Sequence, residues 1–277
     1  MPDMVKADRT GEARQKKMVQ GILEMRILQG ICGAALALTA TFGIAEAKDW
    51  KTVRIGIEAA YPPFNGYNAN NELVGFDYDI GLALCAKMGV ECTFVAQDWD
   101  GMIPALLAGK YDAIVSSMSI TDERKEVVDF TDKYYTNALT FVAPKDTDIT
   151  DVSPAGMAGK TLGAQGSTVS AQFLEENYGD ADVKLYPTQD DAYLDLASGR
   201  LDAVLADVGP SNLWLSSADG ACCAFLGDAV VKDDLVGIAI RKDDADLKEM
   251  FNKAIADIVA DGTYAGINAK YFPFSIY

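Results

Sequence analysis

Leu106-Leu107-Ala108-Gly109-Lys110-Tyr111-Asp112-Ala113-Ile114-Val115 is echoed ninety residues later by Leu196-Ala197-Ser198-Gly199-Arg200-Leu201-Asp202-Ala203-Val204-Leu205. Each stretch runs from the end of an apolar helical segment through a glycine stop and a basic residue to Asp-Ala and then a β-prone strand. A weaker echo pairs Lys51-Thr52-Val53 with Lys160-Thr161-Leu162, each opening a strand. One repeated joint can arise from common cap chemistry alone, but two echoes in the same order predict two similar α/β units.

Outward from the first joint, residues 53–57 form a β-branched strand, followed by the turn-rich Tyr61-Pro62-Pro63-Phe64-Asn65-Gly66. Ile80, Ala83, Leu84 and Met88 then recur at helical spacing, with Gly89 as the stop, and residues 92–95 return as a strand. Strands alternating with helices indicate an α/β architecture with parallel sheets. We place lobe 1 at residues 48–137 plus 233–277 and lobe 2 at 138–232, with the apolar stretches 138–142 and 235–240 as a two-stranded hinge. Leu247, Phe251, Ile255 and Ile258 make an amphipathic helix after the second crossing, and Tyr271-Phe272 returns the C-terminus to lobe 1. In open α/β sheets ligands sit beyond the carboxyl ends of the strands, so the cleft between the lobes is the expected site.

Composition narrows the chemistry. The 277 residues include no histidine, which excludes imidazole bases, histidine triads and histidine-ligated zinc. With 24 basic against 41 acidic residues the chain is expected to be repelled by nucleic acid and by anionic lipid surfaces. No dense acidic loop suggests a metal, and no cofactor is expected. The apolar run 27–45 leads to Ala45-Glu46-Ala47, a small-x-small cleavage pattern, so residues 1–47 read as a cleavable signal peptide. Its long charged start places translation at Met18 or Met25. The remaining cysteines are Cys85, Cys92, Cys222 and Cys223. An even count in an exported chain favours disulfides, and Cys85 with Cys92 would bridge a helix end to the next strand. The adjacent Cys222 and Cys223 read equally well as joined or as free thiols.

Two segments carry candidate ligand chemistry. Ser116-Ser117-Met118-Ser119-Ile120-Thr121-Asp122-Glu123-Arg124 sets hydroxyls past a strand end and Arg124 in the first turn of a helix. Arginine's planar fork suits a carboxylate, though a serine-rich turn with Arg124 paired to Glu123 or Asp129 is an equal reading of these residues alone. In the other lobe Gly166-Ser167-Thr168 offers N–H groups and hydroxyls to the same anion, and Asp207 ends the repeated strand as an acceptor for an ammonium. A carboxylate clamp and an ammonium acceptor on opposite lobes describe an α-amino acid. Tyr61 and Trp99 could sandwich its side chain, and Glu58, with Asp77 as a further candidate, would favour a cationic one; Asp77 reads alternatively as a cap of the helix that starts there, and a cap is the safer reading for Asp79.

These residues carry a resemblance. Leu73-Val74-Gly75-Phe76-Asp77, residues 116–124, Asp129-Phe130-Thr131 and Ala260-Asp261-Gly262-Thr263-Tyr264 resemble the periplasmic polar amino-acid-binding proteins of ABC importers, especially the lysine/arginine/ornithine and histidine binders. The resemblance spans residues 51–277 and implies the type II two-lobed periplasmic binding protein fold. It implies that Ser117, Ser119, Arg124 and Thr168 take the ligand carboxylate and Asp207 the α-ammonium. Ser116, Glu58, Tyr61 and Trp99 would line the side-chain end. It also implies a bridge between Cys85 and Cys92, a periplasmic location, a membrane permease as partner and a monomeric, non-enzymatic protein. Val169 and the bulky Trp99 depart from the basic amino-acid binders, and opine-binding relatives resemble the chain at Glu58 and Trp99. The enzyme alternative is a cyclohexadienyl dehydratase-like activity on a prephenate-like substrate, which would need a positioned acid or base.

Overall fold

The computed structural model describes residues 48–277, so the signal-peptide reading of 1–47 lies outside the described residues. Ten strands are present among them: β1 Thr52–Ile57, β2 Gly66–Tyr67, β3 Leu73–Val74, β4 Glu91–Ala96, β5 Ala113–Ile114, β6 Asp129–Pro144, β7 Thr161–Gln165, β8 Asp182–Tyr186, β9 Ala203–Asp207 and β10 Cys223–Ile240. Eight of them form one sheet in the order β4-β1-β5-β10-β6-β9-β7-β8. At one end β4, β1 and β5 are parallel, and at the other β9, β7 and β8 are parallel. The long β6 and β10 run antiparallel between these two parallel halves.

The two repeated joints fold alike. Gly109 and Gly199 take φ values of 72° and 73°, the left-handed conformation in which glycine has no Cβ penalty. The Gly109 and Lys110 N–H groups donate back to Leu106 O and Ala105 O, both at 3.0 Å. Gly199 and Arg200 repeat this onto Leu196 O and Asp195 O at 3.0 and 2.9 Å. Asp112 then accepts the Arg54 N–H at 3.0 Å, and Asp202 accepts the Thr161 N–H at 2.7 Å. Each aspartate thus ties its strand to the first strand of its own half. The partners repeat as well: a Cβ on Gly56 would fall 2.5 Å from the Tyr111 ring, and one on Gly163 2.5 Å from Leu201.

Side chains alternate across the sheet, so each half buries a core on both faces. In the first half Ala113 and Val115 pack with Ile55, Leu84 and Phe251, while Ile114 packs with Met102, Leu106 and Tyr111. In the second, Ala203 and Leu205 pack with Leu162 and Leu174, while Val204 and Ala206 pack with Tyr193 and Leu196. The C-terminal Phe272 packs 5.4 Å from Phe64 and 5.6 Å from Phe76, as the expected return to the first half requires.

The crossing differs from the expected one. Residues 139–142 already pair with β9, and Ala239 and Ile240 already pair with β5, so the expected hinge stretches run on from the crossing into the halves. The sheet passes between the halves at residues 135–138 of β6 and 231–235 of β10, where the register between them shifts. Apolar runs marked buried strand, whereas the transition itself carries Thr136, Asn137 and Asp234. Cys85 is joined to Cys92, and Cys222 is joined to Cys223. Among the described residues no helix is long and apolar enough to cross a membrane.

Candidate functional site

Strand ends from both halves converge on one cavity. Its lining includes Glu58 and Tyr61 after β1, Trp99 after β4, Ser116, Ser117 and Ser119 after β5, and Arg124 on the helix Asp122–Lys125. The second half contributes Gln165, Thr168, Val169 and Ser170 from the end of β7 onward, Gln189, and Asp207 at the end of β9. Sharp turns aim these groups inward. Ala59, Ser117 and Ser167, each just past a strand end, hold φ values of 61°, 51° and 57°. Non-glycine residues in this region store strain and cluster at functional sites.

Local hydrogen bonds fix the clamp. Thr121 caps the short helix by accepting the Arg124 N–H at 3.1 Å, and Thr168 caps the helix Val169–Asn177 by accepting the Ala171 N–H at 3.1 Å. The Arg124 guanidinium donates to Ser119 O at 2.8 Å and, across the cleft, to Ser167 O at 3.0 Å. Trp99 Nε1 donates to the same Ser167 carbonyl at 3.0 Å, and the guanidinium lies 5.5 Å from the Trp99 ring centroid. Gln165 Nε2 donates to Glu58 Oε1 at 2.6 Å, also across the cleft. The space left among these groups in this arrangement is about 30 Å³, room for little more than water.

Nine of the eleven expected site residues line the cavity. Asp77 does not. It is fully buried behind the wall and accepts the hydroxyls of Ser117 at 2.8 Å and Tyr134 at 2.7 Å, and Asn65 Nδ2 at 2.8 Å. Its place one residue into the helix Phe76–Met88 turns it toward the core, so it orients Ser117. Ser167 is also off the wall and offers its carbonyl oxygen to Arg124 and Trp99. Asp79 is not a cap: that helix begins on Gly75 without a side-chain cap, and Asp79 pairs with Lys270 and Tyr271, both at 3.0 Å. The reading of Arg124 as paired with Glu123 or Asp129 is not realised, since Asp129 pairs with Lys248 at 2.9 Å.

Sequence reasoning missed Gln165, Ser170 and Gln189. Gln165 carried a signal, because it is the last residue of β7, where a carboxyl-end site residue belongs. Gln189 opens the helix Gln189–Ala197 behind its Thr188 cap and carried none.

Electrostatically the cavity is unfinished. Among the described residues Arg124, Glu58 and Asp207 form no salt bridge. Burial pushes the Glu58 carboxyl up to about 7, against the Gln165 hydrogen bond and with help from the charges of Asp77, Asp190 and Asp98. Burial and the nearby Asp234 push Asp207 up to about 7 as well, opposed by Tyr61, Asn137 and Arg124. Asp207 keeps part of its surface toward the cavity, with protein around its other sides. Burial also lowers the Arg124 guanidinium from its ordinary value. Buried charges without partners are expensive, so a cation and two carboxylates lining one cavity favour a ligand of complementary charges.

Residues 53–274 match the family described as bacterial extracellular solute-binding proteins, family 3. The chain belongs to this family. Among relatives of this solute-binding family, the L-arginine-binding protein of Pseudomonas aeruginosa is 45% identical over 234 residues, covering 82% of this chain and 90% of that one. The lysine/arginine/ornithine-binding periplasmic protein of Escherichia coli is 41% identical over 269 residues, covering 94% and 99%. A solved structure of an ancestral arginine-binding protein bound to arginine superposes with a TM-score of 0.76 at 37% identity, covering 80% of this chain and 98% of that one. The type II periplasmic binding protein fold implied by the sequence is therefore the fold of this solute-binding chain.

Proposed function

We propose that the protein is an extracytoplasmic solute-binding protein that captures a basic L-amino acid of the arginine, lysine, ornithine or histidine type and delivers it to an ABC importer. The observation that carries this reading is the set of unpaired charges around one cavity: Arg124 at one end, Glu58 and Asp207 elsewhere on the wall. A basic amino acid supplies one carboxylate and two cations, which complements that set. Arg124, with Ser117, Ser119 and Thr168, takes the carboxylate through charge-assisted hydrogen bonds. Asp207 takes the α-ammonium, and Glu58, Tyr61, Trp99 and Ser116 meet the side chain. Asp77 acts from behind by holding Ser117. The names of the relatives support the same ligand class.

In this reading residues 1–47 are cleaved on export, the mature monomer resides in the periplasm, and a membrane permease is its partner. The lobes 48–137 with 233–277 and 138–232 part at the β6 and β10 crossing to admit the ligand. The protein is not an enzyme, although carboxyls that hold protons near neutrality would suit general acid chemistry. Assays on prephenate and arogenate are therefore expected to show no turnover.

A thermal-shift screen of residues 48–277 against the twenty amino acids and a few opines tests the proposal. Arginine, lysine and ornithine should raise the melting temperature most, because a ligand bound only to the folded state stabilises it. A screen in which no basic amino acid shifts the transition overturns the ligand assignment.

A further inference from the structure

Beside the clamp lies a second hollow of about 310 Å³, roughly ten times the 30 Å³ left among the clamp residues. Tyr61 and Gln189 line both, so the two are adjoining chambers. The second is walled by Pro62 from one half and by Asp190, Tyr193 and Trp214 from the other. Tyr193 and Trp214 stack with centroids 4.5 Å apart and planes 10° from parallel, giving a flat apolar wall.

Gln189 is only 4% exposed, and its side-chain Nε2 has no hydrogen-bond partner in the protein. A buried amide donor without an acceptor is costly, so the position calls for an oxygen from within the chambers. Water can supply one. A ligand carbonyl supplies one with a carbon chain attached, and the aromatic wall is placed to receive that chain. Gln165 Nε2, which donates to Glu58 at 2.6 Å, also donates to Pro187 O at 3.2 Å, two residues before Gln189, so Gln189 and this chamber lie near the Glu58 end of the clamp.

Resting on the proposed function, in which Glu58 meets the distal end of the ligand side chain, we propose that the second hollow is a subsite for an acyl group amide-linked to that distal nitrogen. The protein then takes ω-N-acyl diamino acids, of the Nε-acetyl-lysine type, alongside free basic amino acids. An amide presents both C=O and N–H, so it matches the Gln189 carboxamide whichever way its terminal N and O are turned. Glu58 accepts the amide N–H where it would otherwise accept an ammonium. A carboxylate-bearing substituent is disfavoured here, because Asp190 would repel it.

Calorimetry on the mature protein with lysine, arginine, Nε-acetyl-lysine and Nα-acetyl-lysine tests this. Nε-acetyl-lysine should bind within about tenfold of lysine, while Nα-acetyl-lysine, whose α-nitrogen no longer carries the charge Asp207 needs, should not bind. Gln189→Leu, at a residue that also lines the clamp cavity, should weaken Nε-acetyl-lysine at least about threefold more than it weakens lysine. Trp214→Ala, a half-buried position, gives a second variant should the first not fold, with about fivefold weaker binding of the acylated ligand alone. Binding of lysine without Nε-acetyl-lysine overturns the subsite, as does equal weakening of both ligands by these variants. Failure of lysine and arginine to bind overturns the proposed function and the subsite together.

Discussion

The two repeated joints share a backbone and differ in what they deliver. At both, a left-handed glycine ends the helix and an aspartate ties the next strand to its neighbour. In the first half Asp112 is buried and also holds Arg54 at 2.8 Å and Arg241 at 3.0 Å, whereas Asp202 is half-buried and holds the backbone alone. Beyond the joint the first strand runs into Ser116, Ser117 and the arginine clamp, and the second ends on Asp207. The hydrogen-bonding device is the same twice, and chemistry of opposite sign is mounted on it. A zwitterion can then be gripped at both ends, one from each half.

The largest effect should come from the residues past the joints. If Arg124 reads the shared carboxylate as proposed, Arg124→Ala should weaken every amino acid alike by about ten- to a hundredfold, since a hydrogen bond to a charged group is worth about 1.5–3 kcal/mol. Calorimetry over several ligands checks this, and selective loss of basic ligands alone would remove Arg124 from the carboxylate end.

The joints themselves should respond unequally. Asp112→Ala removes the carboxylate partner of Arg54, one of the two carboxylates that hold Arg241, and the acceptor of the Arg54 N–H, and should cost about 2 kcal/mol after allowing for the exposure of Arg54; Asp202→Ala, which loses a backbone contact only, should cost about 1 kcal/mol. Denaturant midpoints of the two variants would show it, and equal losses would mean that the arginines add nothing.

Glu58 and Asp207 carry the next effect. Both hold their protons to about 7 in the folded, unliganded protein, above the ordinary carboxylate range of the unfolded chain. The folded state therefore binds more protons between about pH 4 and 7, and unliganded stability should fall as pH rises through that window. Binding runs the other way. A cationic ligand needs the charged carboxylates, so affinity for arginine or lysine should rise roughly tenfold or more from pH 5.5 to 7.5, with protons released. Glu58→Gln should cost a basic ligand about tenfold, spare a neutral ligand such as glutamine, and flatten the pH profile. A pH-independent affinity in the wild type would contradict these assignments.

The smallest effect should be symmetrical. A Cβ at Gly109 or Gly199 meets nothing within 4 Å, so alanine there pays only for left-handed backbone, about 1 kcal/mol at each site. Thermal melts should place the two variants together, and a large gap between them would show that the joints are not equivalent.

Much of this was readable in advance where local chemistry decides. The glycine stops, the strand-end serines and Asp207 announced themselves because cap and strand patterns extend over only a few residues. The expected hinge stretches reach too far into the halves because apolar runs mark burial, and a crossing between two cores has no burial signature of its own. Asp77 was assigned to the cavity because a carboxylate in a motif looks like a ligand group; which side of the wall it faces depends on Tyr134 and Asn65.

The sequence by itself determined the repeat, the exclusion of histidine chemistry, the Cys85 to Cys92 bridge and the residue types needed for an amino-acid clamp. All of these rest on composition or on patterns no longer than the ten-residue joint, the repeat being that one joint met twice. Tertiary structure alone decided that Gln165 reaches Glu58 across the cleft, that Ser167 presents a carbonyl and not a hydroxyl, and that Gln189 stands unpaired between two chambers. Those contacts join residues 107 and 43 positions apart, or leave a donor empty, and no local pattern encodes a distance between halves that fold around separate cores.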